Sequence, residues 1–255
     1  MSATHAHTAA AEHLTNDPSS ELWGEHRSRY RFAGQFCAGK RTLDVACGAG
    51  FGLAMLAEAG ARPIGMDLNV SALLEAHRTA PTRGLARADA LRLPLADASV
   101  EAVVSMETIE HVSDASRLVS EYGRVLAPGG ILIVSTPNRA FGPERLHQGN
   151  PFHVREFTAA ELSALLHTVF DEVCVHGQRV DEHFRYVPFL MVEPDRSAPA
   201  LAWKALRRLP TNVRDWLARR TSGRGFYPGE TDFRFEPDAT DGCHDLLAVC
   251  RGARP

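Results

Sequence analysis

Acidic, glycine and histidine residues stand out in this sequence because they follow short apolar segments. Asp44 lies four residues before three alternating glycines, in the run Leu43-Asp44-Val45-Ala46-Cys47-Gly48-Ala49-Gly50-Phe51-Gly52. Such glycines bring a ligand against bare backbone, and the helix that follows adds the positive end of its dipole. The spacing differs from the G-x-G-x-x-G of dinucleotide-binding loops. A carboxylate beside this loop suits a ligand that carries a cation and disfavours a pyrophosphate.

Three more acidic residues, Asp67, Asp89 and Glu107, follow the next apolar segments. Asp67 lies 15 residues after Gly52, near the spacing of about 20 at which an acidic residue meets ribose hydroxyls in an analogous fold. A carboxylate that accepts hydrogen bonds from two hydroxyls makes a discriminating contact. Asp67 and Asp89 are each also compatible with a helix cap or a turn, and Glu107 suits shaping of its loop better than chemistry.

Two histidines are the candidates for proton transfer. His111 follows the fourth predicted strand, and His153 lies in the segment after the fifth. Histidine is the natural proton acceptor at neutral pH, so we predict that both face one pocket and act jointly as a general base. Two alternatives stay open: His111 braces its loop by hydrogen bonding, or His147 replaces His153. We predict no metal site.

Apolar strands that alternate with helices must position these residues. Strands are predicted over 42–46, 62–66, 84–88, 100–106, 131–135, 173–176 and 245–250. Helices are predicted over 21–36, 53–59, 71–77, 116–126, 158–169 and 201–209, with Asn69 or Ser71 and Thr158 as caps. Pro128-Gly129-Gly130 is predicted to be a turn. This order is typical of an α/β fold with a doubly wound, mostly parallel seven-stranded sheet that is covered on both faces.

The glycine-rich run resembles the first motif of the class I S-adenosylmethionine-dependent methyltransferases, and five further segments extend the resemblance. They are IGMDL at 64–68, RADALRLPL at 87–95, VVSMETIEHV at 103–112, RVLAPGGIL at 124–132 and NPFHVREFT at 150–158. The resemblance covers about 30–176 and the last strand, and its last segment is similar to one in the small-molecule branch. It implies a Rossmann-like fold, S-adenosylmethionine as cofactor and S-adenosylhomocysteine as product.

The resemblance also implies roles for single residues. Asp44 would lie near the amino group of the ligand, Asp67 at the ribose, and Asp89 and the Ala90 backbone at the adenine. Tyr30 and Arg29 would close over the methionine carboxylate or would form a helix packing face. The implied cofactor-binding residues are Tyr30, Asp44, Ala46, Gly48, Gly50, Gly52, Asp67, Leu68, Asp89, Ala90 and Met106.

The two ends of the chain lack the regular alternation of strands and helices that is predicted for its middle. Residues 1–20 are predicted to be a flexible arm, and 21–255 a single domain with an N-terminal helical lid. Residues 180–240 are expected to be an insertion or cap on the acceptor side. Its aromatic residues would wall an apolar pocket or pack a small core of their own. The basic segment 204–224 suits a solvated face, an anionic acceptor or a membrane surface.

Composition narrows the class of protein. A net charge of −3 over 255 residues gives no general attraction to nucleic acid. Five scattered cysteines without a C-x-x-C pair disfavour a disulfide framework and favour the reducing cytoplasm. We expect no signal peptide and no transmembrane segment, and a monomer or homodimer.

These observations predict an S-adenosylmethionine-dependent methyltransferase that acts on O or N of a small-molecule metabolite in a biosynthetic pathway. One alternative is an RNA methyltransferase, although Thr136-Pro137-Asn138 stands where enzymes that act on flipped amino bases carry an N/D-P-P-aromatic signature. Another is a protein of the same fold that catalyses a non-methylating reaction or only binds the cofactor.

Overall fold

Eight strands form one sheet in the computed structural model, which describes residues 22–80, 82, 84–141, 152–184, 205–206 and 208–254. The strands are β1 Arg41–Val45, β2 Arg62–Asp67, β3 Leu85–Arg87, β4 Val100–Ser105, β5 Leu126–Pro137, β6 Phe170–Val180, β7 Phe233–Pro237 and β8 Asp245–Ala253. The predicted arm 1–20, His147 and most of the helix predicted over 201–209 lie outside the described residues.

The strand order is β3-β2-β1-β4-β5-β8-β6-β7. β1 to β5 pair in parallel, and β8 runs antiparallel between β5 and β6. The predicted doubly wound, mostly parallel α/β architecture is therefore confirmed. The sheet has one strand more than the seven predicted, because β7 adds an antiparallel edge to β6.

The described residues include the helices α1 Trp23–Cys37, α2 Phe51–Glu58, α3 Val70–Thr79, α4 Ala115–Val125, α5 Ala159–Leu166 and α6 Thr211–Ser222. The Asn69 side chain accepts hydrogen bonds at the start of α3, and Thr158 forms a capping box with Glu161 at the start of α5. These caps satisfy backbone N–H groups that have no partner within the helix. No helix in the described parts of the chain combines the length and the hydrophobicity needed to cross a bilayer.

The core lies on both faces of the sheet. Val103 and Val104 are consecutive and fully buried, yet they belong to two different apolar clusters, because successive strand residues point to opposite faces. One cluster packs against α4 and α5, and the other against α1 and α2. Tyr30 and Ala33 belong to the second cluster, so the predicted lid helix α1 is also part of the core.

The Pro128-Gly129-Gly130 segment, which was predicted to be a turn before the fifth strand, interrupts the pairing of β5 with β4. The segment lies inside β5, at a bulge where the pairing passes from Val100 opposite Leu126 to Ala102 opposite Ile131. Its central glycine has a φ of +77°, a conformation that glycine adopts without a steric penalty.

The described part of the predicted insertion, within 180–240, packs its own aromatic residues. The Arg214 guanidinium of α6 lies 4.9 Å from the ring centroid of Phe226 and 4.6 Å from that of Tyr227. Arg214 is buried, so this member of the predicted basic segment is not a solvated charge. The loop at Pro228 meets α1, where a Cβ on Gly24 would lie 2.0 Å from the Pro228 carbonyl oxygen.

Candidate active site

A cavity of about 470 Å³ lies over the carboxyl ends of the parallel strands. Ligands bind at this edge of open α/β sheets because the loops after neighbouring strands meet there. The lining includes most of the residues that the sequence singled out: Tyr30, Ala46, Gly48, Asp67, Leu68, Asp89, Ala90, Met106, Glu107 and His111. The structure therefore brings together residues from four separate strand ends.

The loop after β1 presents its backbone to the cavity. Gly48 has a φ of +53°, and a Cβ built there would meet no heavy atom of the described chain within 4 Å. Its N–H donates to Asp67 Oδ2 at 2.9 Å. Ala46 has a φ of +59° although it is not glycine, and such backbone strain is found chiefly at functional sites.

Gly50 and Gly52 do not line the cavity, which corrects the expectation that all three glycines face the ligand. A Cβ on Gly50 would lie 2.7 Å from the Cβ of Ala76 in α3, and a Cβ on Gly52 would lie 2.1 Å from the Tyr30 ring. Both distances are shorter than real side chains allow. These two glycines therefore permit α3 and α1 to pack closely against the start of α2.

Asp44 is fully buried in β1 and does not itself line the cavity. The Tyr30 hydroxyl lies 3.1 and 3.2 Å from its two carboxylate oxygens. Burial raises the pKa of Asp44 to about 8; the Tyr30 hydrogen bond opposes this rise, and the negative charge of Asp67 adds to it. A nearby cation would favour the charged carboxylate.

Asp67, at the end of β2, is held in one orientation. Its Oδ1 accepts the Asn69 N–H at 2.7 Å while its Oδ2 accepts the Gly48 N–H. Asp89 caps a turn through the Leu91 N–H at 2.9 Å and also lines the cavity. Asp89 can therefore both cap its turn and contact a ligand in the cavity.

Glu107 follows β4 and was expected only to shape its loop. The structure supports that role, because Ser135 Oγ donates to Glu107 Oε1 at 2.7 Å and accepts the Glu107 N–H at 3.2 Å. Glu107 also has a φ of +49° and lines the cavity. Burial raises its pKa, and the Arg29 charge opposes this.

Arg29 is committed to a buried ion cluster, a role that the sequence reasoning missed. It pairs with Glu25, Asp245 and Glu107, the last at 3.2 Å, and its Nε donates to Gln178 at 2.7 Å. The alternative that Arg29 reaches the methionine carboxylate is therefore not supported. The Glu25–Arg29 spacing of four was visible on the predicted helix, whereas the distant partners carried no local signal.

His111 and His153 lie together, as predicted, with ring centroids 5.0 Å apart. His111 lines the cavity, and His153 contacts it from outside the lining. His153 Nδ1 is 2.7 Å from Glu156 Oε1, and His111 Nδ1 is 3.1 Å from the Phe152 carbonyl oxygen. Each histidine is therefore held by a partner on its own Nδ1.

Comparison with known proteins identifies a domain within the chain and relates its fold to solved structures. Residues 43–134, from β1 through most of β5, match the family described as "Methyltransferase domain". This region therefore forms a methyltransferase domain, and relatives that share it are named S-adenosylmethionine-dependent methyltransferases. S-adenosylmethionine is the cofactor of that family.

Relatives of the methyltransferase domain extend this result. A probable S-adenosylmethionine-dependent methyltransferase of Mycolicibacterium smegmatis is 42% identical over 149 residues, 58% of each chain. A ubiquinone biosynthesis O-methyltransferase of Methylococcus capsulatus is 34% identical over 134 residues, 49% of this chain and 56% of that protein. The chain thus spans somewhat more than half the length of these relatives. A SAM-dependent methyltransferase structure from Archaeoglobus fulgidus shares the fold, with a TM-score of 0.61 at 16% identity over 91% of this chain and 94% of that one.

The residues of the methyltransferase domain fit the family's cofactor. Gly48 leaves open space for a ligand against the backbone, and Asp67 offers a fixed carboxylate on the same wall. The buried carboxyl of Asp44 is suited to balance an ammonium or sulfonium charge. Burial raises the pKa of the Cys47 thiol, so this cysteine suits a structural role and not that of a nucleophile.

Proposed function

We propose that this protein transfers a methyl group from S-adenosylmethionine to an oxygen or nitrogen of a small-molecule metabolite. The observation that carries the proposal is one cavity whose wall holds both the donor motifs and His111. Bound S-adenosylmethionine supplies a methyl group that its positive sulfur already activates. The protein's own contributions are therefore binding, alignment and exclusion of water.

On the donor side, the proposed contacts come from the carboxyl ends of β1 to β4. Asp67 is assigned to the ribose hydroxyls, and Asp89 with the Ala90 backbone to the adenine. The wall of the donor site is completed by the Gly48 backbone, Ala46, Leu68, Tyr30 and Met106. Asp44 lies behind this wall, in contact with the Tyr30 hydroxyl, and is assigned to balance the positive charge of the ligand. Gly50 and Gly52 act through helix packing.

On the acceptor side, we assign His111 and His153 to removal of the acceptor's proton. Both are held in place through Nδ1, and His111 reaches the cavity. Help of this kind is worth about 10²–10⁴-fold in rate. Methyl transfer driven by proximity would therefore slow, and not stop, without it.

The net charge of the chain and its similarity to known enzymes favour a small molecule over a nucleic acid as the acceptor. The net charge of −3 offers little to a polyanion. The similarity to a ubiquinone biosynthesis O-methyltransferase points in the same direction. A cytoplasmic location and a monomeric or homodimeric state stay predictions.

Calorimetric titration of the purified chain with S-adenosylmethionine, S-adenosylhomocysteine and NAD tests the donor site. We expect micromolar binding of both adenosyl ligands and no binding of NAD. Methyl transfer is then measured with labelled S-adenosylmethionine against panels of phenols, sugars and amines, with total RNA as a competing acceptor. Absence of adenosyl binding, or transfer to RNA alone, would overturn the proposal.

A further inference from the structure

Three side chains of the types that commonly bind metal ions lie together at the wall of the cavity. Glu110, His111 and His153 each offer one ligand atom, and these atoms lie within 4.8 Å of one another. His111 Nε2 is 3.9 Å from Glu110 Oε1. Because His111 lines the cavity, the cluster borders the space assigned to the acceptor.

Glu110 brings a carboxylate oxygen that the surrounding protein does not satisfy. The side chain is fully buried, and its Oε2 accepts the Thr136 hydroxyl at 3.0 Å. Its Oε1 has no hydrogen-bond partner among the described residues. A buried carboxylate oxygen without a partner is costly, and a bound cation would remove that cost.

Both histidines are oriented as metal-bound histidines are. The Phe152 carbonyl can only accept a hydrogen bond, so the Nδ1 of His111 must donate to it and Nε2 carries the lone pair when the ring is neutral. Glu156 similarly faces Nδ1 of His153. Carboxylate and carbonyl partners on the second ring nitrogen are the usual way of orienting ligating histidines.

We propose that Glu110, His111 and His153 bind a divalent cation, and that this cation coordinates a hydroxyl oxygen of the acceptor. Two imidazole nitrogens with one carboxylate oxygen suit a first-row transition ion such as Zn²⁺ or Co²⁺ and leave positions open for substrate. Bonds of about 2.0–2.2 Å allow ligand atoms to be at most about 4.4 Å apart. In tetrahedral coordination the ligand atoms lie about 3.3–3.6 Å apart, so the side chains of the cluster move together by up to about 1.4 Å around the ion.

The proposed function leaves open whether oxygen or nitrogen of the acceptor is methylated, and a bound cation favours oxygen. This assignment of the acceptor rests on the proposed function. A coordinated hydroxyl loses its proton more readily because the positive ion lowers its pKa. With the ion bound, the two histidines promote proton loss through it and not as direct proton acceptors: the hydroxyl proton passes to water. The acceptor oxygen bonds to the methyl carbon, and the carbon–sulfur bond breaks with its electron pair left on sulfur. The sulfonium becomes a neutral thioether. The acceptor is therefore an alcohol or phenol, and the reaction an O-methylation.

Metal binding is tested without any acceptor. The full chain is stripped with a chelator, then titrated with Co²⁺ by visible absorption and with Zn²⁺ by calorimetry. Glu110→Gln preserves size and the Thr136 contact, and His153→Gln removes one nitrogen. We expect each to weaken binding by at least about 10- to 100-fold, the loss that already follows from changing a residue that only orients a ligand. His77→Gln, which removes an exposed histidine on α3, is the matched control and should leave the affinity unchanged.

The histidines at 5, 7 and 13 are present in all these variants. A loss of metal affinity that occurs only when Glu110 or His153 is changed therefore shows that the metal binds at the cluster. Circular dichroism and the affinity for S-adenosylhomocysteine show whether each variant is folded. Equal Co²⁺ affinity in folded Glu110→Gln and wild type would overturn the inference while leaving adenosyl binding intact. Cluster-dependent metal binding without adenosyl binding would instead overturn the proposed function. Methylation of amines alone would overturn the assignment of a hydroxyl acceptor.

Discussion

The Tyr30 hydroxyl of α1 contacts both carboxylate oxygens of Asp44, at 3.1 and 3.2 Å, beneath the wall of the cavity. Tyr30 also packs its ring against the position where Gly52 lacks a side chain. Tyr30 therefore connects α1 with both β1 and the glycine-rich loop. This relationship leads to expectations for both stability and ligand binding.

Asp44→Asn should stabilise the ligand-free protein at alkaline pH. The folded-state pKa of Asp44 is about 8, against an ordinary value of 3.8. Between these values the folded protein holds a proton that the unfolded chain has lost, so Asp44 lowers stability as pH rises through this window. We expect the Tm of the variant to exceed that of wild type at pH 9, by about 2–4 °C for each kcal/mol of this penalty.

Thermal unfolding at pH 4 and pH 9 checks this expectation, since at pH 4 Asp44 is neutral in the folded protein and still largely protonated in the unfolded chain, so the two Tm values should then lie close together. Tyr30 and Asp67 face Asp44 in both proteins, so the comparison isolates the carboxyl. The same variant should bind S-adenosylmethionine more weakly, because it cannot balance a cation. An unchanged Tm difference between the two pH values would contradict the raised pKa.

Asp67→Ala should weaken S-adenosylmethionine binding by about 1–3 kcal/mol, through loss of a charge-assisted contact. Asp171→Ala is the matched control, because its exposed carboxylate pairs only with the exposed Arg254 among the described residues. Calorimetry measures both affinities. Equal affinities in the two variants would remove Asp67 from the donor site.

Gly48→Ala and Gly52→Ala form a matched pair with opposite expectations. At Gly52 the new Cβ overlaps the Tyr30 ring, and overpacking of this kind costs about 1–3 kcal/mol of stability. At Gly48 the Cβ enters open space with a left-handed φ, at a cost of about 1–2 kcal/mol. We expect denaturant unfolding to show the larger loss for Gly52→Ala, and titration to show the larger loss of adenosyl affinity per folded molecule for Gly48→Ala. The reverse order would contradict the division of roles.

His111→Gln and His153→Gln should each lower turnover by about 10²–10⁴-fold and leave the affinity for S-adenosylhomocysteine unchanged. The reason is that both side chains lie on the acceptor side, away from the donor carboxylates. Single-turnover rates measure the first quantity and calorimetry the second. Full rates in both variants would exclude the histidines from the reaction.

Arg29→Met should unfold the protein or destabilise it by about 3–5 kcal/mol, the usual result of removing one partner from a buried ion cluster. Arg29 is 1% exposed and faces three carboxylates. Arg27→Met, two residues away in a partly exposed pair with Glu230, should cost at most about 1 kcal/mol. Equilibrium urea unfolding compares the two, and similar losses would show that the Arg29 cluster is not critical.

Much of the fold was predictable because its signals are local. Caps at Asn69 and Thr158 are short-range hydrogen bonds, and apolar periodicity marks each strand. The turn predicted at 128–130 lies within the bounds of β5, because that strand pairs with β4 on both sides of the segment.

By itself, the sequence determined the alternation of strands and helices, the donor motif and the acidic residues at the strand ends. Each of these depends on residues close together in the chain. Tertiary structure alone decided that Arg29 meets Gln178 and Asp245, 149 and 216 residues away. It also decided that Gly48 faces the ligand space while Gly52 faces Tyr30, and that Glu110 joins the two histidines. Such contacts depend on how whole elements pack, and packing at long range leaves no pattern in a short window of sequence.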